Sequence, residues 1–258
     1  MKKELSDMYF LGRKCIFCGK YGLYKLKDKR VKCKHCKKYY SLIKLRKDLE
    51  ILYYFYLEVS AKKTSNEMDL GYGVVYRKFM QFRKLIADYC NKEARKLNGE
   101  LELDESYFGG RRKGKRGRGA NNKAIAFGIL ERKGKIHTII VPDVKEDTLM
   151  DAIKQKTKKG SVFYTDGFKS YNSLQLYGKH NIIDHKKDLV KGKNHINGIE
   201  SFWAYAKERF HKYHGINKKN YPFYVKEMEF RFNHRNEKVY KMLVDICIVR
   251  RQFSAELH

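Results

Sequence analysis

Four cysteines stand in two CxxC knuckles, Cys15 with Cys18 and Cys33 with Cys36, with fourteen residues between the pairs. Each knuckle can turn two sulfurs toward one point, and four thiolates complete the closed tetrahedral shell of one structural Zn²⁺. The rival chemistry for a CxxC is redox exchange, which expects one copy beside a βαβ unit rather than two copies with basic flanks. Cys90 and Cys247 stand alone and read as buried or incidental thiols.

The second chemical group is acidic. Glu200 and Lys207 lie seven apart in the aromatic-rich run HINGIESFWAYAKERF. Seven residues is close to two helical turns, so one stripe of a helix carries both, with Trp203 between them. Ile199, Phe202, Ala206 and Phe210 fall on a neighbouring stripe suited to packing inward. Taken alone, such a pair suits the solvated face of an amphipathic helix. Asp104 in ELELDESYFGG and Asp166 in SVFYTDGFKSY alter the reading, because each closes an apolar run of strand character. A single Asp at a strand end is commonly a turn residue. Three acids at the ends of elements that can converge mean something else. Gathered without a cation they repel one another and raise their own pKa values, so the site calls for metal, and hard oxygen ligands favour Mg²⁺ or Mn²⁺ over zinc.

Positioning these acids takes a layered domain. From residue 99 the chain reads as a strand ending at Asp104, two strands in KAIAFGILER and KIHTIIVPD, and a helix in KEDTLMDAIKQKT. A strand ending at Asp166 follows, then a short helical or loop segment, a strand near HNIIDH and the helix of Glu200. That order gives an α/β domain with a mixed sheet and flanking helices. Ahead of it, YGLYKLKDKRVK alternates like a short hairpin, which makes residues 1–42 a zinc ribbon. Residues 43–98 are helical, with Leu49, Leu52, Tyr53 and Tyr56 at helix spacing. Within them SAKKTSNEMDLGYGVVYRKFMQFRKL suggests a helix-turn-helix. Thr64 or Ser65 caps a short helix, Gly71 and Gly73 make the turn, and Arg77 and Lys78 lie on the helix that reads DNA. Any small helical hairpin shares that pattern. The predicted boundaries are 1–42, 43–98, 99–236 for the catalytic domain and 237–258 for a C-terminal helical tail.

Composition narrows the partners. A formal charge of +29 over 258 residues, with a pI near 9.8, exceeds what solubility needs and points to a polyanion such as DNA. Genome base composition accounts for part of such a lysine excess as well. Hydrophobic residues at 42%, of which aromatics contribute 14%, supply a core for roughly two domains and exclude a disordered chain. The longest apolar run, ILYYFYL, falls far short of the ~20 residues of a membrane span, and MKKELSDMYF lacks the apolar stretch of a signal sequence. A cytoplasmic, reducing setting is therefore expected, and it suits metal-bound or free thiols. In RRKGKRGRG, Arg111, Arg112, Lys113, Lys115, Arg116 and Arg118 alternate with glycine, as in a flexible loop that touches phosphates or a solvated charged turn. His185, His195, His211 and His214 flank the acids in sequence, in reach of DNA or in surface and core roles. Trp203 suits stacking on a displaced base or packing against the sheet.

LDESYFGG, YTDGFKSY, HINGIESFWAYAKERF and EFRFNHRN, in that order behind the CxxC ribbon, resemble the bacterial insertion-sequence DDE transposases of the group related to eukaryotic Merlin elements, over nearly the whole chain. The resemblance implies a ribonuclease-H-like catalytic domain, in which the first and fourth strands are neighbours. It also implies Asp104, Asp166 and Glu200 as the metal-binding triad, with Lys207 as the lysine one face along. Some such groups carry asparagine in place of the last acid, so Asn197, one turn before Glu200, is the alternative third ligand, and Asp184 a weaker one. The implied activity is cleavage and strand transfer at terminal inverted repeats with two Mg²⁺ or Mn²⁺ ions, by an oligomer on double-stranded DNA in the bacterial nucleoid. Two other readings share these features: a catalytically silent DNA-binding regulator derived from a transposase, and a ribonuclease-H-like nuclease or resolvase that cuts without joining.

Overall fold

The computed structural model describes residues 14–109, 123–183, 195–213 and 215–249. Alternation between the knuckles becomes strands β1 (Leu23–Lys25) and β2 (Arg30–Cys33), paired antiparallel. A third strand, β3 (Tyr39–Ser41), joins the far side of β2 and was not expected from the sequence. Three residues are too few to show a period, so only their pairing reveals them. Val31 and Cys33 point inward from β2 and are almost fully buried. β3 leads directly into helix α1 (Leu42–Tyr56), where the Ser41 hydroxyl accepts the Lys44 amide.

Two more helices follow, α2 (Ala61–Glu67) and α3 (Tyr72–Glu93). The cap of α2 is Ser60, not Thr64 or Ser65. Ser60 has an extended backbone and its hydroxyl accepts the Lys63 amide, the geometry an N-cap needs. Thr64 and Ser65 lie buried inside the helix. Gly71 does precede α3, whereas Gly73 falls within its first turn. Phe55 of α1 meets Phe79 and Phe82 of α3 at 5.1 and 5.6 Å between centroids. Helix α7 (Val239–Val244), continued by a π-helical turn at Asp245–Val249, packs Tyr240 against Tyr53 and Tyr56 of α1. These segments form one compact unit, Met1–Tyr89 with Asn236–His258, and Cys90–Arg235 forms another.

The second unit is built on β4 (Glu100–Phe108), β5 (Ala124–Glu131), β6 (Ile136–Val141), β7 (Val162–Asp166) and β8 (Lys179–Ile183), in the order β6-β5-β4-β7-β8. The first three strands form an antiparallel meander, and β7 and β8 add parallel on the far side of β4. Helix α4 (Glu146–Lys156) lies between β6 and β7 in the chain, and α5 (Asn197–Phe210) and α6 (Tyr221–Asn233) follow β8. This is a ribonuclease-H-like fold. Strand alternation divides the core into two layers. Leu101 and Leu103 pack with Phe127, Leu149 and Ile153 on one face. Ala126, Leu130 and Tyr164 pack with Ile199, Phe202 and Trp203 of α5 on the other. Helix α6 seals edge strand β6 with side chains. Asn233 exchanges two hydrogen bonds with the Ile136 backbone, and Glu229 accepts the Thr138 amide at 2.7 Å. No helix among the described residues is long and apolar enough to cross a membrane.

Candidate active site

β4 does not end at Asp104; it continues to Phe108 because Glu105–Phe108 pair with Ala124–Phe127 of β5. The parallel ladder with β7, by contrast, stops at Glu102↔Tyr164. Continuing that pairing two residues along each strand brings Asp104 level with Asp166, the last residue of β7. Both alternate in phase with Glu102 and Tyr164, so both point to the sheet face that α5 covers. The two aspartates therefore sit where neighbouring parallel strands cease to be paired. The Phe168 amide donates to the Asp166 carboxylate at 3.1 Å and fixes its direction.

Helix α5 lies close to this face because β5 carries glycine opposite Asp104. A Cβ at Gly128 would stand 2.8 Å from Trp203 Cζ2 and 3.1 Å from Ile199 Cδ1. Trp203 thus packs on the sheet and is buried, while Glu200, Lys207 and Asn197 stay exposed on the outer turns of the same helix. Burial pushes the Asp104 carboxyl up, and repulsion from Glu105, Asp166 and Glu200 adds to the effect, bringing it to about 7. Glu105 belongs to the opposite face, where it accepts a 3.0 Å hydrogen bond from Tyr171. Asp104, Asp166 and Glu200 share one electrostatic neighbourhood. Among the described residues only the four knuckle cysteines have three or more donor atoms within 4.8 Å of one another, so the carboxylates form a more open arrangement than a closed cage.

The cysteine cluster is closed. Cys15 Sγ lies 3.6 Å from Cys36 Sγ, and Cys18 Sγ lies 3.6 Å from Cys33 Sγ. A tetrahedral zinc with bonds of about 2.3 Å sets its sulfurs about 3.8 Å apart. The Phe17 and His35 amides donate to Cys15 and Cys33, as a metal knuckle requires to hold thiolates. Burial pushes Cys15 up to about 12; at Cys33 burial acts upward too, but amide and thiol donors outweigh it and bring the thiol to about 7. The arrangement fits a zinc ribbon. Cys90 and Cys247 are buried singly.

Arg77 is exposed on α3, whereas Lys78 is largely buried, with its ammonium 2.6 Å from Asp48. Arg111, Arg112, Lys113, Lys115, Arg116 and Arg118 lie outside the described residues, as do Asp184, His185 and His214. His195 is half-buried with Nδ1 3.8 Å from Glu102, and His211 is exposed after α5. Sequence reasoning missed Gly128, Glu102 and Arg132. A lone glycine inside the strand run KAIAFGILER signals a close approach of another element. The spacing Glu102-x-Asp104 puts two acids on one strand face, a second available signal.

Among curated proteins, a transposase-like protein of Haemophilus influenzae is 40% identical over 107 residues, 41% of this chain and 87% of that protein. A protein in transposable element ISH50 of Halobacterium salinarum is 25% identical over 242 residues, 82% of this chain and 81% of that protein. Among solved structures, the catalytic core domain of BIV integrase aligns with a TM-score of 0.36 at 10% identity, covering 57% of this chain and 95% of that one. The catalytic domain of Mos1 mariner transposase aligns with a TM-score of 0.35 at 10% identity, covering 65% and 91%. Residues 96–233, which span the sheet, Asp104, Asp166 and the whole of α5, match the ISXO2-like transposase domain. The chain belongs to that family of transposase domains.

Proposed function

We propose that the protein is a DNA transposase that binds the terminal inverted repeats of an insertion sequence and carries out metal-dependent strand cleavage and strand transfer. The observation that carries the reading is the placement of Asp104 level with Asp166 on neighbouring parallel strands, on the sheet face covered by α5, the helix of Glu200; burial, with the neighbouring carboxylates adding to it, raises the Asp104 carboxyl to about 7. Family membership supports it. The donor set fits Mg²⁺ or Mn²⁺: carboxylate oxygens, openly spaced, leaving room for water and substrate phosphate, which is how Mg²⁺ is usually held. Asp104, Asp166 and Glu200 hold two such ions, with Asn197 as the alternative third ligand. When bound, the ions supply activation of an attacking water or 3′-OH and stabilisation of the leaving 3′ oxygen.

The chain's own residues do the rest. Asp104 and Asp166 stand on adjacent strands just past the end of their pairing, while Glu200 depends on the placement of α5. Lys207, two turns along the exposed stripe, contacts a DNA phosphate as a point charge. No covalent protein intermediate is needed, and so no Ser or Tyr nucleophile. Cys15, Cys18, Cys33 and Cys36 hold one Zn²⁺ that folds the ribbon, and the ribbon with α2 and α3 selects the element's ends. Arg77 serves that contact ahead of Lys78, whose charge is engaged by Asp48. Arg111, Arg112, Lys113, Lys115, Arg116 and Arg118 add phosphate contacts. The protein acts as a dimer or larger assembly on two DNA ends, in the cytoplasm at the nucleoid.

The test uses purified full-length protein, Mg²⁺, a labelled terminal repeat and a target plasmid. Joined product is the expected result. Nicking that never leads to joining favours a nuclease of the same fold, and specific end binding with neither reaction favours a silent regulator.

A further inference from the structure

Helix α5 has no cap of its own. Its N-cap position is Ile196, which offers no side-chain acceptor to the free amides of the first turn. The acceptor comes from across the sheet. Glu102, 1% exposed on β4, receives the Ile199 amide on Oε2 at 2.9 Å. Gly198 makes this approach possible, since a Cβ there would lie 2.8 Å from the same oxygen and 2.6 Å from Leu130 Cδ2. Glu102 Oε1 in turn accepts from Arg132 Nε at 3.0 Å. The Arg132 guanidinium also donates to the His195 carbonyl, just ahead of the helix, and stacks 3.6 Å over the Tyr164 ring.

Two features give this network more than a packing role. Glu102 and Asp104 are two apart on β4 and point to the same face, so one strand carries both a ligand of the proposed site and the anchor of α5. Ile199, whose amide is held, immediately precedes Glu200. A slip of α5 along or around its axis would move Glu200 relative to Asp104 and Asp166. A carboxylate aimed at a helix N-terminus is favoured by both the amide hydrogen bond and the helix dipole, and Arg132 engages its other oxygen.

We propose that Glu102, braced by Arg132, is a positioning residue that sets the register of α5 and so brings Glu200 to Asp104 and Asp166. The proposal rests on the metal-site reading above. Removing the pair together, as Glu102→Leu with Arg132→Met, leaves no buried charge unpaired, so the fold has a route to survive without the cap. Loss of outer-shell support of this kind typically weakens metal affinity by about tenfold to a hundredfold.

The experiment uses zinc-loaded full-length protein and follows Mn²⁺ binding by electron paramagnetic resonance together with hydrogen exchange at the Ile199 amide. The double variant is expected to keep its zinc and its end binding, to exchange Ile199 faster, and to need about tenfold more Mn²⁺ for half-saturation. Glu102→Gln keeps an oxygen acceptor for Ile199 and is expected to bind Mn²⁺ closer to wild type than the double variant does. A folded double variant with wild-type Mn²⁺ affinity overturns the proposal. If the double variant fails to fold, the wild-type measurement still decides, because an Ile199 amide that exchanges as freely as an unprotected one also overturns it. Wild-type protein with no Mn²⁺ site sensitive to Asp104→Asn would instead overturn the metal-site reading.

Discussion

A raised carboxyl pKa at Asp104 has a consequence that can be measured without DNA. Its folded-state value near 7 compares with about 4 in an unfolded chain. Between those values the folded protein keeps a proton that the unfolded chain has released, so metal-free protein loses stability as pH rises through that window. Thermal unfolding between pH 4 and 8 without added Mg²⁺ should show a falling Tm for wild type and a flatter profile for Asp104→Asn. Adding Mg²⁺ at pH 8 should raise the wild-type Tm and leave that of Asp104→Asn nearly unchanged, since a ligand stabilises only the state that binds it. Equal responses in both proteins would remove Asp104 from the site. Asp104 and Asp166 stand out in the sequence because each follows an apolar run of strand character, and the two come level on neighbouring strands. Glu102 does not, because a buried glutamate in a strand looks like any solvent-facing alternation until its partner Arg132, thirty residues on, is known.

At the level of elements, Gly128 sets how near α5 lies to the sheet. Gly128→Ala drives a methyl group against the Trp203 ring, which is wedged between Phe202 and the strand. Overpacking of this kind costs about 1–3 kcal/mol. A lower Tm is expected, with a loss of cleavage measured well below that Tm; unchanged stability would mean that α5 is free to lift away. In the ribbon, elemental analysis should find one zinc ion per chain, and Cys33→Ser should release it and abolish hydrogen-exchange protection of β1 to β3, since so small a unit has little core without metal. Protein isolated without chelator and free of zinc would contradict that. Most strands and helices were readable from period and breakers. The end of β4 was not, because Glu105-Ser106-Tyr107-Phe108 gain strand structure from β5, a partner that local pattern does not contain. The cap of α2 was displaced for a similar reason: three hydroxyl residues in SAKKTS compete, and only backbone geometry selects Ser60.

For the whole molecule, a charge of +29 predicts binding to DNA that weakens steeply with salt, each neutralised phosphate contributing about 0.9 to the slope of log affinity against log salt. A shallow slope measured on the terminal repeat would argue against extensive backbone contact. The fragment 90–235 contains both core layers of the catalytic unit and should fold alone while losing preference for the element's ends. The sequence pattern suggests a helical tail over residues 237–258, and Val239–Val244 is helical, but the pattern does not say what that helix packs against. Tyr240 bonds the Leu49 carbonyl, 191 positions earlier, a pairing that no local period encodes. Asp104, Asp166 and Glu200 are proposed to act together on one metal-dependent reaction. The most direct measurement compares Asp104→Asn, Asp166→Asn and Glu200→Gln with wild type, following nicking of a labelled transposon end in Mg²⁺ alongside end binding by mobility shift. An amide keeps the shape of each side chain and removes the charge that holds a cation. All three variants should bind ends nearly as wild type does and lose several powers of ten in cleavage rate, each factor of ten being about 1.4 kcal/mol of barrier. A Glu200→Gln protein that cuts at near the wild-type rate would remove Glu200 from the metal site.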